Sequence, residues 1–336
     1  MWKKILRIAG GVLLMAVLAA GGGIGWLFLR KPAMAPAPAI KVALTPERIA
    51  RGEYIYVSVA DCAGCHSERD FSRVGAPEVV SGRGRGNVLS DLMKGLPGRV
   101  VAPNITPDRE TGIGTWSDGE KIRAIRDGVD KNGRALFPMM PYPAYRRISN
   151  DDVQALVAFL DSLPPVHNPL PPTSLDFPVS VLIKGAPQPA GTVPPLDRSD
   201  PRKYGEYLVS VGGCADCHTP ADNKGNPLPG RAMSGGVVFD TPMGKVVSAN
   251  LTPDLGTGIG KWSEDFFLKR FYDYKEYAAN GPPPAQGPQS LTLMPWLPFS
   301  AKDPEELRAI YAYLRTVPPV PNAVEVHPGF PNTTAP

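Results

Sequence analysis

The sequence predicts a mainly helical protein in which two tandem domains follow an N-terminal transmembrane helix. The chain has 336 residues, which suits two ordinary domains and their connectors. It begins with an uncharged stretch long enough to cross a bilayer, and three blocks of sequence recur in the same order in the two halves. Proline is abundant, with 40 residues, so we expect turns and extended linkers rather than many strands.

Segment 1–31 is predicted to be a signal anchor. Its uncharged stretch, residues 8–29, has 22 residues, and at about 1.5 Å per residue it spans a bilayer core of roughly 30 Å. A cleaved signal peptide is the alternative, since the small residues at 19–23 offer a cleavage site. Removing the five basic residues of this segment from the 36 in the chain leaves 31 basic against 32 acidic side chains. We therefore expect no nucleic-acid partner.

The rest of the chain is predicted to hold two copies of one domain. Residues 51–66 match 204–218 with one residue deleted, 104–117 match 250–263, and 151–166 match 305–320. A solenoid normally needs three or more repeats, so two domains are favoured. The predicted organisation is a signal anchor at 1–31, an Ala/Pro-rich spacer at 32–46, domain 1 at 47–167, a Pro-rich linker at 168–197, domain 2 at 198–320 and a Pro-rich tail at 321–336.

Each domain is predicted to open and close with a helix. Thr45 and Asp200 are capping residues that precede a proline at the first helical position. The closing segments, 151–166 and 305–320, place apolar residues at i, i+3, i+4 and i+7, and a Pro-Pro pair ends each helix. The segments between are rich in Gly, Pro and Asn, so we expect loops that wrap around a bulky group.

All four cysteines of the chain lie in two copies of the pattern Cys-x-x-Cys-His. The motif residues are Cys62, Cys65 and His66 in domain 1, and Cys214, Cys217 and His218 in domain 2. This spacing lets two thiols join the vinyl groups of one haem while the adjacent histidine ligates the iron. The sequence therefore predicts two covalently bound haem c groups. Their attachment requires export, which sets the orientation of the anchor.

Three alternatives compete with haem at the cysteines. Two disulfides would leave a histidine after both pairs as a coincidence, in a chain with only four histidines. A zinc site shared by the four cysteines would need the two pairs to converge, and it would leave the histidines unused. A thioredoxin-like redox pair would need a βαβ context, which the sequence lacks.

The sixth iron ligand is predicted to be a methionine in both domains. Met140 and Met294 each precede a proline and an aromatic residue, and they lie 74 and 76 residues after His66 and His218. Met139 is the main rival in domain 1, and a methionine that only fills a gap in the core is the alternative role. His/Met ligation leaves no open position on the iron and raises its reduction potential, so such a centre passes single electrons.

The block Thr-Gly-Ile-Gly-x-Trp-Ser recurs at 111–117 and 257–263. We expect Trp116 and Trp262 either to contact the haem, by packing or by a hydrogen bond to a propionate, or to anchor a turn in the core. Asn104 and Asn250, which precede Thr-Pro-Asp, are expected to cap a turn.

Together these motifs resemble the cytochrome c subunits of membrane-bound alcohol, gluconate and related dehydrogenases of bacteria. The likeness covers about residues 47–166 and 199–320. It implies two class-I-like cytochrome c domains on the periplasmic side of the inner membrane, behind a single membrane span. On this pattern the motif histidines are the proximal ligands, and Met140 and Met294 take the distal position. Those subunits usually carry three haems, whereas this chain has two motifs.

The predicted function is that of a membrane-anchored periplasmic di-haem cytochrome c. It would pass single electrons from a periplasmic or membrane dehydrogenase, or from quinol, towards the quinone pool, a terminal oxidase or a soluble cytochrome. We expect a non-catalytic subunit, since no nucleophile–base pair or flavin motif rises above background. Two alternatives stay open: a di-haem peroxidase or oxidase, which needs a displaceable iron ligand, and an accessory subunit that tethers an oxidase or dehydrogenase complex.

Overall fold

A computed structural model describes residues 2–73, 75–93, 95–222, 225–241, 244–280 and 292–328. The chain begins with a 28-residue helix, Trp2–Leu29, and most of its described side chains are exposed. Among the described residues it is the one helix long and apolar enough to cross a membrane, with a mean hydropathy of 2.2 in its most apolar window. The predicted N-terminal apolar helix is therefore confirmed as a structural element.

The two domains are mainly helical and run through a similar order of elements, as predicted. Domain 1 contains the α-helices Pro46–Tyr54, Ala63–His66, Leu89–Leu92, Asp118–Asp127, Tyr142–Tyr145 and Asn150–Ser162, a π-helical turn at Ile55–Val59 and a 3-10 turn at Val80–Gly82. The linker contains the helix Val179–Leu182 and a 3-10 turn at Ile183–Gly185. Domain 2 contains the helices Pro201–Val211, Cys214–His218, Glu264–Asn280, Trp296–Ser300 and Pro304–Leu314.

Strands are few and short in the described residues. Three antiparallel pairs form: Asn87–Val88 with Val101–Ala102, Gly98–Arg99 with Ser174–Leu175, and Val238–Thr241 with Gly244–Val247. The second pair joins the linker to domain 1.

The opening and closing helices of each domain cross at a glycine. A Cβ atom at Gly52 would lie 1.9 Å from the carbonyl oxygen of Ala155, and one at Gly205 would lie 1.9 Å from that of Ala309. Only a residue without a side chain permits this approach of two backbones. The predicted caps hold these helices at their start: Thr45 Oγ1 accepts from Arg48 N at 3.3 Å, and Asp200 caps the second copy in the same manner.

The one-residue difference between the two copies falls in a π-helical turn. After the opening helix of domain 1, Ala60 N donates to Ile55 O at 2.9 Å, five residues back, which is the π-helical spacing. Domain 2 has one residue fewer here, and its opening helix stays α-helical to Val211. Domain 1 therefore accommodates its extra residue by widening one helical turn directly before the cysteine motif.

Both proline-rich segments on either side of domain 1 pack against it. In the spacer, Val42 is buried, and its amide donates to Asp118 Oδ2 at 2.7 Å. In the linker, the strand pair with Gly98–Arg99 is extended by Asp176 N, which donates to Pro97 O at 3.1 Å. Domain 1 is thus flanked by ordered chain rather than by free tethers.

The two domains meet through a reciprocal pair of hydrogen bonds. Tyr54 Oη donates to Glu306 Oε2 at 2.6 Å, and Tyr207 Oη donates to Asp152 Oδ2 at 2.7 Å. The two tyrosines occupy matched positions in the opening helices, and the two carboxylates occupy matched positions in the closing helices. Each domain therefore offers the same surface to the other, as in a twofold-symmetric dimer.

Candidate haem-binding sites

A cavity of about 1090 Å³ lies mainly in domain 1, and the end of the N-terminal helix and the linker also contribute to its lining. Cys62, Cys65 and His66 line it together with Met139 and Met140. Its volume is slightly larger than the range of about 300–1,000 Å³ that is typical of small-molecule sites. The remaining lining is largely apolar and includes Leu89, Val100, Ile113, Ile125, Leu156 and Leu160. The structure thus brings the predicted attachment and ligand residues of domain 1 to one cavity, and these residues fit a covalently bound haem.

The two motif histidines are held in the same way. His66 Nδ1 lies 2.8 Å from the carbonyl oxygen of Pro103, and His218 Nδ1 lies 2.8 Å from that of Ala249. Since a carbonyl oxygen only accepts, each Nδ1 carries the proton, and each Nε2 is left as the free basic nitrogen. Burial lowers the pKa of both imidazoles and so favours the neutral form that binds a metal.

No disulfide joins any of the four cysteines, all of which lie in the described part of the chain. In each domain the second cysteine and the histidine lie in one short helix, together with the two residues that separate the cysteines. Burial raises the pKa of all four thiols, to about 11 for Cys65 and Cys214. Among the described residues, no group of three or more His, Cys, Asp or Glu could hold a metal ion, so the two cysteine pairs do not converge on a zinc site.

Met140 and Met294 occupy matched backbone positions. Tyr142 N donates to Met140 O at 2.8 Å, Trp296 N donates to Met294 O at 2.8 Å, and a short helix follows in both domains. Both methionines pack against the main apolar core, whereas Met139 packs against a smaller cluster beside it. This equivalence favours Met140 over Met139 as the ligand, and the assignment stays a prediction.

Trp116 and Trp262 close the same turn in the two domains. Trp116 N donates to Ile113 O, and Trp262 N donates to Ile259 O, each at 3.0 Å. Trp116 also lines the domain 1 cavity, while the ring of Trp262 packs edge-on against Phe266 with 5.0 Å between centroids. The turn-anchoring role is visible in both copies, and a haem contact of either tryptophan stays a prediction.

Asn104 and Asn250 make more hydrogen bonds than the turn cap that the sequence predicts. Each side-chain oxygen accepts from the backbone of the threonine two residues later, which is the expected turn cap. Each side-chain amide also donates to the carbonyl oxygen of a residue just beyond the closing helix, Val166 at 2.7 Å and Val320 at 2.8 Å. Both asparagines directly follow the carbonyl that holds the motif histidine. They therefore connect the segment that holds the histidine to the end of each domain.

Two buried ionisable groups near the cysteine motifs were also missed. Lys302 is buried, its ammonium donates to Ser58 O across the domain boundary, and it lies 4.4 Å from the Phe299 ring centroid. Burial lowers the pKa of Lys302 to about 8. Asp61, next to Cys62, is also desolvated, and this burial raises the pKa of its carboxyl to about 7. The alignment of the two halves could have pointed to Lys302, because it places this lysine at the position of the apolar Ile148 in domain 1.

A mainly helical chain with two such Cys-x-x-Cys-His sites is a c-type haem protein. The family model for cytochrome c matches residues 49–164 and 203–318, which is more than half of the chain. This chain belongs to the cytochrome c family. Covalent haem c and electron transfer follow from that membership, and the predicted cytochrome c fold in two copies is confirmed.

Similar proteins include a "Diheme cytochrome c-type" of Cereibacter sphaeroides, 31% identical over 93% of this chain and 98% of that protein. The "Fructose dehydrogenase cytochrome subunit" of Gluconobacter japonicus is 30% identical over 80% of this chain and 52% of its own length. The "Alcohol dehydrogenase (quinone), cytochrome c subunit" of Gluconacetobacter polyoxogenes is 30% identical over 83% and 59%. The chain thus spans just over half the length of these two dehydrogenase subunits. The predicted resemblance to dehydrogenase cytochrome subunits is confirmed.

Proposed function

We propose that this protein is a membrane-anchored di-haem cytochrome c that relays single electrons on the periplasmic face of a bacterial inner membrane. The observation that carries the proposal is the duplicated site. Each copy has two thiols and a histidine in one motif, Nδ1 of that histidine on a backbone carbonyl, and a Met-Pro-aromatic segment at a matched position. The similarity over nearly the full length of a diheme cytochrome supports the count of two haems.

The residues of the chain prepare each site for electron transfer. When bound, haem supplies an iron that gains and loses one electron. His66 and His218 would ligate the iron through Nε2, and Met140 and Met294 would ligate it through their thioether sulfurs. The methionine ligand would keep small molecules off the iron and would favour its reduced form. The apolar lining of the domain 1 cavity excludes water and acts in the same direction.

A dehydrogenase is the proposed electron donor, with quinol as the other candidate. Relatives of this chain are named as cytochrome subunits of fructose, alcohol and gluconate dehydrogenases. The proposed acceptors are the quinone pool, a terminal oxidase or a soluble cytochrome. The helix Trp2–Leu29 supports anchoring by its length and composition.

The ligands can be assigned by the weak near-infrared band of ferric His/Met haem. We expect the haem-loaded full chain to show this band, and Met140→His and Met294→His each to remove about half of its intensity. Met139→Leu is the matched control and should leave the band intact. Loss of the band in Met139→Leu would transfer the distal role to that residue. A protein without the band, or one that readily turns over peroxide, would support the peroxidase alternative instead.

The partner can be identified by purification in mild detergent from the native membrane. We expect a dehydrogenase to accompany the chain and to reduce both haems when its substrate is added. Reduction by quinol without such a companion would make the membrane quinol pool the donor. A chain that is reduced by neither would contradict the relay and favour the accessory role.

A further inference from the structure

The linker between the two domains carries an exposed apolar surface, formed by residues 177–184 and here called the linker knob. Phe177 is 74% exposed and Leu182 is 56% exposed. Val181 and Ile183 in the same segment are buried. The knob therefore uses its inner residues for packing and leaves two large apolar side chains facing outward.

The knob is joined to the end of the N-terminal apolar helix. The rings of Phe28 and Phe177 are stacked, with centroids 6.4 Å apart and planes 4° from parallel. Arg30 Nη2 donates to Leu182 O at 2.9 Å, and Lys184 Nζ donates to Phe28 O at 2.6 Å. The exposed apolar surface of the knob thus continues that of the helix. Three basic residues, Arg30, Lys31 and Lys184, lie where the two meet.

The knob is also fixed to domain 1. Directly before it, Ser174–Leu175 pairs with Gly98–Arg99, and Asp176 N donates to Pro97 O. The knob therefore connects domain 1 to the end of the N-terminal helix and fixes the orientation of one relative to the other.

We propose that the linker knob docks on the outer leaflet of the membrane in which the N-terminal helix is embedded, and so holds the domain 1 cavity beside the membrane surface. This inference rests on the anchoring proposed above. Aromatic and aliphatic side chains next to a membrane span favour the interfacial region, and adjacent lysine and arginine side chains favour the lipid phosphates. The continuity with the apolar helix and this basic cluster make a bilayer with anionic lipids the occupant of the surface.

The position of the cavity gives the docking a function. Leu29, Arg30 and Lys31 line the same cavity as Cys62 and His66, and so do Ile183 and Lys184 of the knob. With the knob on the membrane, the haem of domain 1 becomes the membrane-proximal centre. That haem would then exchange electrons with lipid-soluble carriers.

The depth of the knob can be measured with a fluorescent label on a single introduced cysteine. The haem-loaded full chain is reconstituted into vesicles of phosphatidylethanolamine and phosphatidylglycerol, with bimane attached to Phe177→Cys or Leu182→Cys. Leu255→Cys is the matched control, because Leu255 lies in domain 2 and is 65% exposed. We expect bromines on the lipid chains to quench the two knob labels several-fold more than the control. Acrylamide in the water should show the reverse order.

The possible outcomes separate this inference from the anchoring itself. Knob labels quenched by acrylamide as strongly as the control, in a chain that stays with the vesicles, would overturn the docking alone. Knob labels shielded from both quenchers would indicate a protein partner and would also overturn it. A chain that does not stay with the vesicles would overturn the anchoring and the docking together.

A second measurement tests the role of domain 1 without relying on the label. In vesicles, Leu182→Glu should slow the reduction of the protein by a membrane-soluble quinol, because it lifts the knob off the bilayer. Reduction by a water-soluble donor should be unchanged. Equal slowing by both donors would show a general structural defect and would contradict the inference.

Discussion

Replacing Asn104 by alanine tests whether one buried side chain supports a whole haem site. Its side-chain oxygen accepts from Thr106 N at 3.0 Å and from Thr106 Oγ1 at 2.7 Å. Its amide donates to Val166 O at 2.7 Å and to Thr111 Oγ1 at 3.0 Å. All four bonds vanish in Asn104→Ala, and the alanine cannot replace any of them.

The expected loss follows from the number and burial of these bonds. A buried hydrogen bond contributes about 1 kcal/mol on balance, and a buried group left without a partner costs about 1–3 kcal/mol more. Some of the four groups will regain a partner or reach water, so we expect about 3–5 kcal/mol rather than the full sum. Domains are typically stable by only about 5–15 kcal/mol, so the change is large.

The assay is urea unfolding of the haem-loaded full chain, followed by haem absorbance. Asn250→Ala should show a similar loss, since that side chain makes the matched set of bonds in domain 2. Asn132→Ala is the control, because Asn132 is exposed in the same domain as Asn104. Pro103, whose carbonyl accepts from His66 Nδ1, directly precedes Asn104. We therefore expect the near-infrared band of domain 1 to disappear at a lower urea concentration than that of domain 2.

A loss below about 1 kcal/mol in Asn104→Ala, or one equal to that of Asn132→Ala, would refute this reasoning. It would mean that the four hydrogen bonds are readily replaced by water. An equal effect on the near-infrared bands of both domains would refute the local link between this side chain and His66.

Three further outcomes are expected. Tyr54→Phe and Tyr207→Phe should each lower the free energy of unfolding by about 1.5–3 kcal/mol in urea titrations, because each removes a hydrogen bond to a carboxylate between the domains. Unequal losses would contradict the reciprocal interface. Gly52→Ala should destabilise domain 1 by at least about 2 kcal/mol in the same titration, since the new Cβ would overlap Ala155 O. Burial lowers the pKa of Lys302 from 10.5 to about 8, so between these pH values Lys302 is protonated in the unfolded chain and neutral in the folded one. The free energy of unfolding of the wild type, relative to that of Lys302→Met, should therefore rise with pH over this range. A flat difference between these two proteins would contradict the burial of Lys302.

The repeated parts of the fold were predictable because their signals are local. Within each Cys-x-x-Cys-His motif, each cap with its proline and each closing helix, the residues that form the signal lie close together in the sequence. The reciprocal bonds were not predictable in this way, since Tyr54 meets a carboxylate 252 residues away. The π-helical turn left a trace in the alignment of the two halves, as one extra residue. Its conformation depends on how the opening helix packs, which the sequence alone does not state.

The order in which electrons pass between the two haems depends on the differences between the two domains. Two equal sites would have equal potentials, and electrons would have no preferred order. Lys302, however, takes the position that Ile148 has in domain 1, so domain 2 contributes a buried ammonium group that has no counterpart in the other copy. This ammonium lies at the boundary between the domains, where it donates to Ser58 O. A positive charge favours the reduced centre, because reduction removes one positive charge from the haem. In redox titrations, Lys302→Met should therefore lower the potential of at least one of the two haems and change the difference between them. An unchanged pair of potentials in that variant would show that the preferred order has another origin.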